Sequence, residues 1–327
     1  MCTSLAFPTP DGTNLFGRTL DLDTHFGEAP VLTPRRYPFS FADCYPHTHH
    51  YALLGMAAVI DGYPLYAEAM NEKGLCMAGL RFKGYAVYAP CPEVGYVNLA
   101  PWELIPYLLG TCATVGEARA ALADICVVDK PFSDTVGTAP LHWHMVDGDP
   151  SHGGLIVEAT AEGMKVYEDR PDGPSGEVGV LANDPPYPEQ VGQLADLSCL
   201  RGDVPGLPGD YSSPSRFIRA ALLRKWAIGD RLSPQAVGDD MAPAGKVSPH
   251  TSFFRILAAV SPMAGAVMTE EGRSHRTLYT CCMDTGAGAY LYHTEADPTV
   301  RRISFSAQDI NGDAPFVPKA DRISHPY

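Results

Sequence analysis

The order of elements along the chain predicts an α+β protein in which two sheets are covered by helices. Three observations carry that prediction. Hairpin patterns open the chain, strand-like runs close it, and helical periodicity is confined to stretches between them. No β-α-β repeat is evident, so a parallel doubly wound sheet lacks support.

Residues 2–7 (CTSLAF) and 14–19 (NLFGRT) flank Pro8-Thr9-Pro10-Asp11-Gly12, a turn-forming cluster, and predict a first hairpin with Cys2 on its leading strand. Residues 51–60 form an apolar run ended by Asp61-Gly62. Residues 64–70 and 75–80 flank Asn71-Glu72-Lys73-Gly74 and predict a second hairpin, with Gly74 free to take positive φ. Pro101 opens a helical segment over 101–109, which Pro106 is expected to break or kink. Thr114-Val115-Gly116-Glu117 has the spacing of a capping box, after which Val115, Ala118, Leu122, Ile125 and Cys126 recur at helical intervals. Strands are expected at 141–146, 154–160 and 164–168. Residues 169–213, rich in Pro, Gly and Asp, read as long loops. Pro214 opens a helix with Phe217, Ala220, Ala221 and Leu223 on its buried side, and a further helix fits 250–260. Strands at 275–283, 288–294 and 299–305 close the chain.

With 327 residues and 45% hydrophobic content the chain builds a substantial core, and we read residues 1–327 as a single domain. Its formal net charge of -14 argues against nucleic-acid and anionic-membrane partners, which select basic surfaces. The N-terminus lacks the basic-then-apolar pattern of a signal peptide, and no run approaches the length of a spanning helix; a cytoplasmic location is expected. The nine cysteines are irregularly spaced with no C-x-x-C pair, so they read as reduced, mostly buried residues.

Cys2 is the most informative residue. Removal of the initiator methionine leaves one residue bearing both a thiol and an α-amine. Such an amine titrates at ~7.7–8.0, well below a lysine, and so serves as a proton acceptor beside a good nucleophile. Competing sites are weaker. His47-Thr48-His49-His50 and His142-Trp143-His144 lack metal-binding spacing, so no metal is expected. There is no dinucleotide fingerprint, P-loop or G-x-S-x-G elbow, and no cofactor is expected.

Polar residues inside otherwise apolar segments complete the pattern: Arg18 and Asp21 after the first turn, Asn183 in Leu181-Ala182-Asn183-Asp184-Pro185-Pro186, and Arg216 after Pro214-Ser215. Together with Met1-Cys2-Thr3, Leu15-Phe16-Gly17-Arg18, Met70-Asn71-Glu72-Lys73-Gly74-Leu75, Ala78-Gly79-Leu80, Leu207-Pro208-Gly209-Asp210 and Ser215-Arg216-Phe217-Ile218-Arg219, they resemble the choloylglycine hydrolase family of bile salt hydrolases and penicillin V acylases, within the N-terminal-nucleophile hydrolases. The resemblance implies a four-layer αββα sandwich. It implies Cys2 as nucleophile, Asp21 orienting its amine, Arg18 near the thiol, Asn183 as an oxyanion donor and Arg216 supporting the site, with a backbone N–H near residue 81 as second donor. It further implies thioester chemistry on a linear amide without metal or cofactor.

Arg81 departs from the family, where asparagine or tyrosine is usual. Its fork either grips an acidic group of the substrate or turns to solvent. The resemblance implies conjugated bile acids as substrates, with penicillin V and acyl-homoserine lactones as alternatives on the same machinery. An apolar pocket for the acyl group is expected from the Leu, Phe, Tyr and Met residues around 16–26 and 56–66. It also implies a homotetramer, although the segment from Asn183 to Pro208 is shorter than the family's assembly loop and makes a dimer the alternative. Two other classes compete: a non-catalytic binder of amphiphiles, which would lack some of the site residues, and a thiol-redox or metal protein, which would pair its cysteines.

Overall fold

The computed structural model describes the chain except residues 174–175, 198–205, 233–246 and 323–327. Cys199 and part of the expected assembly segment therefore lie outside the described residues. In chain order the strands are β1 (Cys2–Pro8), β2 (Asn14–Leu22), β3 (Ala29–Thr33), β4 (Leu53–Ile60), β5 (Tyr63–Asn71), β6 (Cys76–Arg81), β7 (Val97–Leu99) and β8 (Ile125–Val127). They continue as β9 (Leu141–Val146), β10 (Gly154–Thr160), β11 (Gly163–Asp169), β12 (Val180–Leu181), β13 (Val267–Met268), β14 (Ser274–Asp284), β15 (Ala289–Thr294), β16 (Arg301–Ser304) and β17 (Asp321–Arg322). The helices are α1 (Leu104–Thr111), α2 (Val115–Leu122), α3 (Tyr187–Leu197), α4 (Ser213–Leu232) and α5 (Pro249–Ala258).

Two large antiparallel sheets form the middle layers. The first runs β12-β1-β2-β14-β15-β16-β17, with β13 on β14, and the second runs β11-β10-β9-β6-β5-β4-β3. Helices α4 and α5 pack on the outer face of the first sheet against β1, β2, β12 and β14, while α1 and α2 cover the second against β5, β6 and β10. The sheets meet through β1, β2 and β6. This is the αββα sandwich the sequence resemblance implies. One apolar core fills the space between the sheets and beneath α4 and α5, and includes Phe7, Phe16, Met283 and Phe253. A second lies under α1 and α2, around Trp143, Leu104 and Leu108.

The two predicted hairpins form. Cys2 pairs with Leu20 and Ser4 with Arg18 in the first, and Gly74 closes the second at φ 91°. Gly17 is required by its neighbour strand: a Cβ there would meet the carbonyl oxygen of Cys281 at 2.1 Å. Thr114 caps the start of α2, its Oγ1 accepting the Glu117 N–H at 3.2 Å, while the Glu117 carboxylate reaches one residue further back and accepts the Ala113 N–H at 2.6 Å.

Several expectations needed correction. The helix after Thr114 ends at Leu122, and Ile125 and Cys126 belong to β8, which pairs with β7 in a small parallel sheet. Helical spacing over so short a run does not distinguish a helix from a following strand. Pro106 neither breaks nor displaces its helix. It occupies the first turn of α1, where its missing N–H is not needed, and a 3-10 turn at Pro101–Glu103 precedes it. Residues 169–213 hold β12 and α3 as well as loops. In α4 Leu222 is buried along with Ile218, while Leu223 is half-buried.

The second histidine cluster packs between the sheets. His142 stacks on Phe82 at 4.3 Å and contacts Glu158 Oε1 and the Ala182 carbonyl, and His144 meets Ser4 Oγ at 2.9 Å. No helix among the described residues is long and apolar enough to cross a membrane.

Candidate active site

Strand alternation places the residues of β1 and β2 on two faces. Cys2, Ser4, Arg18 and Leu20 share the face toward the second sheet, whereas Thr3, Thr19 and Asp21 lie on the helix-covered face. The contacts agree. Ser4 reaches His144 of β9 and Arg18 reaches the carbonyls of Gly79 and Ala67, all in the second sheet. Thr3 Oγ1 accepts instead from Arg216 of α4 at 2.6 Å.

The Cys2 main chain is held tightly. Its N–H donates to Asn183 Oδ1 at 2.7 Å, and its carbonyl accepts from Arg216 Nη1 at 2.5 Å. Arg216 Nη2 donates to the same Asn183 oxygen at 2.8 Å, and its Nε donates to the Tyr211 carbonyl at 3.0 Å. Two donors converging on one amide atom identify that atom as the Asn183 oxygen, which fixes the side-chain orientation. The amide nitrogen then donates one hydrogen to the Arg81 carbonyl at 2.8 Å, and its chemistry leaves a second for another acceptor. Asn183 itself is pinned: Ser213 Oγ accepts its N–H at 2.8 Å, and Gln190 Nε2 donates to its carbonyl at 3.0 Å.

Met1 is present in this structure and occupies the position next to the Cys2 nitrogen. Its ammonium donates to the Asp21 carbonyl at 2.7 Å, and the Asp21 N–H returns a bond to the Met1 carbonyl at 3.0 Å. Burial pushes the pKa of that ammonium down. The Asp21 carboxylate accepts from Thr277 at 2.7 Å and Thr19 at 3.2 Å. Burial pushes its pKa up, against the opposing pull of Arg216 and the terminal amine.

Arg18, Asp21, Asn183 and Arg216 thus share one buried locale with Cys2, whereas Arg81 joins it only by its backbone and keeps its side chain exposed. The sequence reading missed Glu68, Tyr279 and Tyr290, which surround Arg18 on the sheet–sheet side. A signal for Glu68 was present: it is a carboxylate inside the apolar strand Pro64-Leu65-Tyr66-Ala67-Glu68-Ala69-Met70. It likewise missed Gln190 and Ser213, whose polar anchoring of Asn183 depends on long-range folding.

A thiol at the start of β1, with its main-chain N–H held by an amide oxygen and its carbonyl by a buried arginine, defines a site for nucleophilic attack through an N-terminal residue. The family model for linear amide C–N hydrolases of the choloylglycine hydrolase family matches residues 2–317, and the chain belongs to that family. Among its relatives, a bile salt hydrolase/transferase of Lactiplantibacillus plantarum is 34% identical over 95% of this chain and 94% of its own length. A conjugated bile acid hydrolase of Lactobacillus acidophilus is 32% identical over 91% of this chain and 93% of its own. The C2A mutant of the conjugated bile acid hydrolase from Clostridium perfringens superposes with a TM-score of 0.82 at 29% identity, covering 99% of this chain and 97% of that one. Penicillin V acylase from Agrobacterium tumefaciens shares the fold, with a TM-score of 0.74 at 22% identity over 96% of this chain and 90% of that one. The protein is therefore an enzyme of the type that cleaves linear amides.

Proposed function

We propose that this enzyme hydrolyses the amide bond of conjugated bile acids, using Cys2, freed of Met1, as its nucleophile. The observation that carries the reading is the convergence on the Cys2 nitrogen and carbonyl of Asn183 and Arg216, with Arg18 on the side of the sulfur. The names of the bacterial relatives supply the substrate class.

In this mechanism the α-amine of Cys2 takes the thiol proton, directly or through water. Asn183 Oδ1 and Asp21 hold that amine in place. A cation at Arg18 favours the thiolate. The sulfur attacks the amide carbonyl, and the second Asn183 amide hydrogen and the Arg81 backbone N–H receive the negative charge on oxygen. The neighbouring Phe82 N–H is spent on the Pro140 carbonyl at 2.8 Å and is not that donor. The protonated amine then gives its proton to the departing nitrogen, and water cleaves the thioester.

The acyl group meets an apolar rim. The link between β2 and β3 leaves the Cys2 end of the first sheet and enters the second beside the β4–β5 turn. Phe26 in that link and Val59 before that turn are exposed at 39% and 46%, as a surface that receives a steroid requires.

A panel of glycocholate, taurocholate and penicillin V tests the substrate, and intact-mass analysis tests the nucleophile. Release of glycine or taurine, loss of Met1 and trapping of an acyl group on Cys2 are expected. Faster turnover of penicillin V with no amino acid released, or full activity with Met1 retained, overturns the reading. Light scattering distinguishes the tetramer that belongs to this reading from a dimer.

A further inference from the structure

Glu68 is wholly buried between the sheets, and the reaction above gives it no role. An isolated buried carboxylate is costly, so its partners carry information. Oε2 accepts the Tyr279 hydroxyl at 2.8 Å and Oε1 accepts the Tyr290 hydroxyl at 2.7 Å. Both tyrosines belong to the first sheet, whereas Glu68 belongs to the second. Arg18 Nε stands 3.8 Å from Oε2, an offset ion pair rather than a two-pronged one.

The rest of the guanidinium is distributed unevenly. Nε donates to the Thr19 carbonyl at 3.2 Å, and Nη1 donates to the carbonyls of Gly79 and Ala67. Nη2 is buried with no partner among the described residues. Buried arginine nitrogens are ordinarily satisfied, so an unsatisfied one asks for an explanation. Burial works against the Arg18 cation, yet its interactions with neighbouring Cys2, Tyr279, Glu68 and Cys281, in that order, hold its pKa above the ordinary value.

We propose that Glu68, clasped by Tyr279 and Tyr290, is a positioning residue that holds Arg18 with Nη2 turned to the Cys2 sulfur and offsets part of its charge. The phenols occupy the carboxylate and keep it from closing on the guanidinium. A fully paired arginine would present little field to the sulfur, and one with no counter-charge would be an isolated buried cation. The proposal rests on the reading of Cys2 as the nucleophile.

The test is the pH dependence of Cys2 alkylation by iodoacetamide, followed by peptide mass spectrometry, in the processed wild type and Glu68→Gln. The other charged groups around Cys2 stay in place: Arg18 and Asp21 from β2, Arg216 from α4 with Asp184 nearby, and the α-amine with His275 beside it. Removing the charge of Glu68 leaves the Arg18 field less offset, so the alkylation midpoint should fall by about 0.5 pH unit or more. In the same variant kcat should fall about tenfold with KM little changed. Tyr290→Phe, which removes a single hydroxyl, supplies a second folded variant. It releases Oε1 toward Arg18, and the midpoint should rise. Midpoints unmoved in folded variants that have lost only thermal stability overturn the proposal. Alkylation needs no substrate, so this outcome is independent of the substrate panel, and retained activity in Cys2→Ala would refute the nucleophile separately.

Discussion

Arg18 and Arg216 are both buried beside Cys2, and they spend their nitrogens in opposite ways. Arg216, on the helix side of β1, uses Nε, Nη1 and Nη2 in four hydrogen bonds to Tyr211, Cys2, Thr3 and Asn183. Arg18, on the sheet–sheet side, leaves Nη2 without a partner among the described residues. Their electrostatics diverge too. Burial lowers the pKa of Arg216, with Asp21, Cys2 and Asp184 opposing it, whereas interactions with Cys2, Tyr279, Glu68 and Cys281 outweigh burial at Arg18 and raise it. A satisfied buried arginine fixes atoms in place, and an unsatisfied one is available to charge that appears during a reaction. One side of the strand thus fixes the Cys2 main chain, and in the mechanism proposed above the other side acts on its sulfur.

The comparison breaks most decisively at the residue the two faces share. Cys2→Ala should abolish turnover while circular dichroism and the thermal midpoint remain close to wild type. Measurable hydrolysis in that variant would remove the catalytic meaning of both arginines. Asn183 touches both the nucleophile nitrogen and Arg216, and Asn183→Ala should lower kcat by about 10²–10³, the usual cost of an oxyanion donor, as read by steady-state kinetics.

Replacing each arginine by methionine separates holding from acting. Arg216→Met strips donors from the Cys2 carbonyl and Asn183 and leaves Asp21 without its strongest opposing charge, and should cost about 3–5 kcal/mol in urea unfolding. Arg18→Met should cost about 1–3 kcal/mol, since Glu68 has an elevated pKa and takes up a proton in place of its lost partner. Its principal effect should fall on kcat. Equal stability losses would erase the distinction between the faces.

The last expected effect concerns pH. His144, which contacts Ser4 beneath Arg18, is pushed down to about 3 by burial, with Arg224 and His142 adding to the shift. The unfolded imidazole accepts a proton near its ordinary value of 6.5, while the folded one resists until about 3. Between those values the unfolded state binds more protons, so stability falls as pH falls, by at most about 1.4 kcal/mol per pH unit from this group. Urea midpoints from pH 7 to pH 4 should show a shallower decline in His144→Gln than in wild type. Parallel declines would assign the acid sensitivity elsewhere.

Much of the architecture was legible because it depends on local pattern. The turn cluster at Pro8–Gly12, the alternation of strands and the Thr114 cap act within a few residues of themselves. The errors fell where local spacing is ambiguous: Ile125 and Cys126 continue the rhythm of α2, yet they are strand residues because β7 waits beside them. The helix α3 was hidden in a region rich in proline and glycine, and its anchor Gln190 matters only because it reaches back to Ala182, Asn183 and Pro185.

By itself the sequence determined the chemistry available: a thiol at position 2, two arginines, an aspartate and an asparagine in otherwise apolar surroundings, and the order of elements that makes two sheets. Only the tertiary structure decided which arginine is fully hydrogen-bonded and which keeps a nitrogen free of partners among the described residues. That choice follows from the faces of β1 and β2 and from what covers each of them. It placed Arg216, carried by α4, against the carbonyl and hydroxyl acceptors of β1, and Arg18 against Glu68, Tyr279 and Tyr290 from strands distant along the chain. Hydrogen bonds and charge act over a few ångströms of space, and separation along a chain of residues does not report that distance.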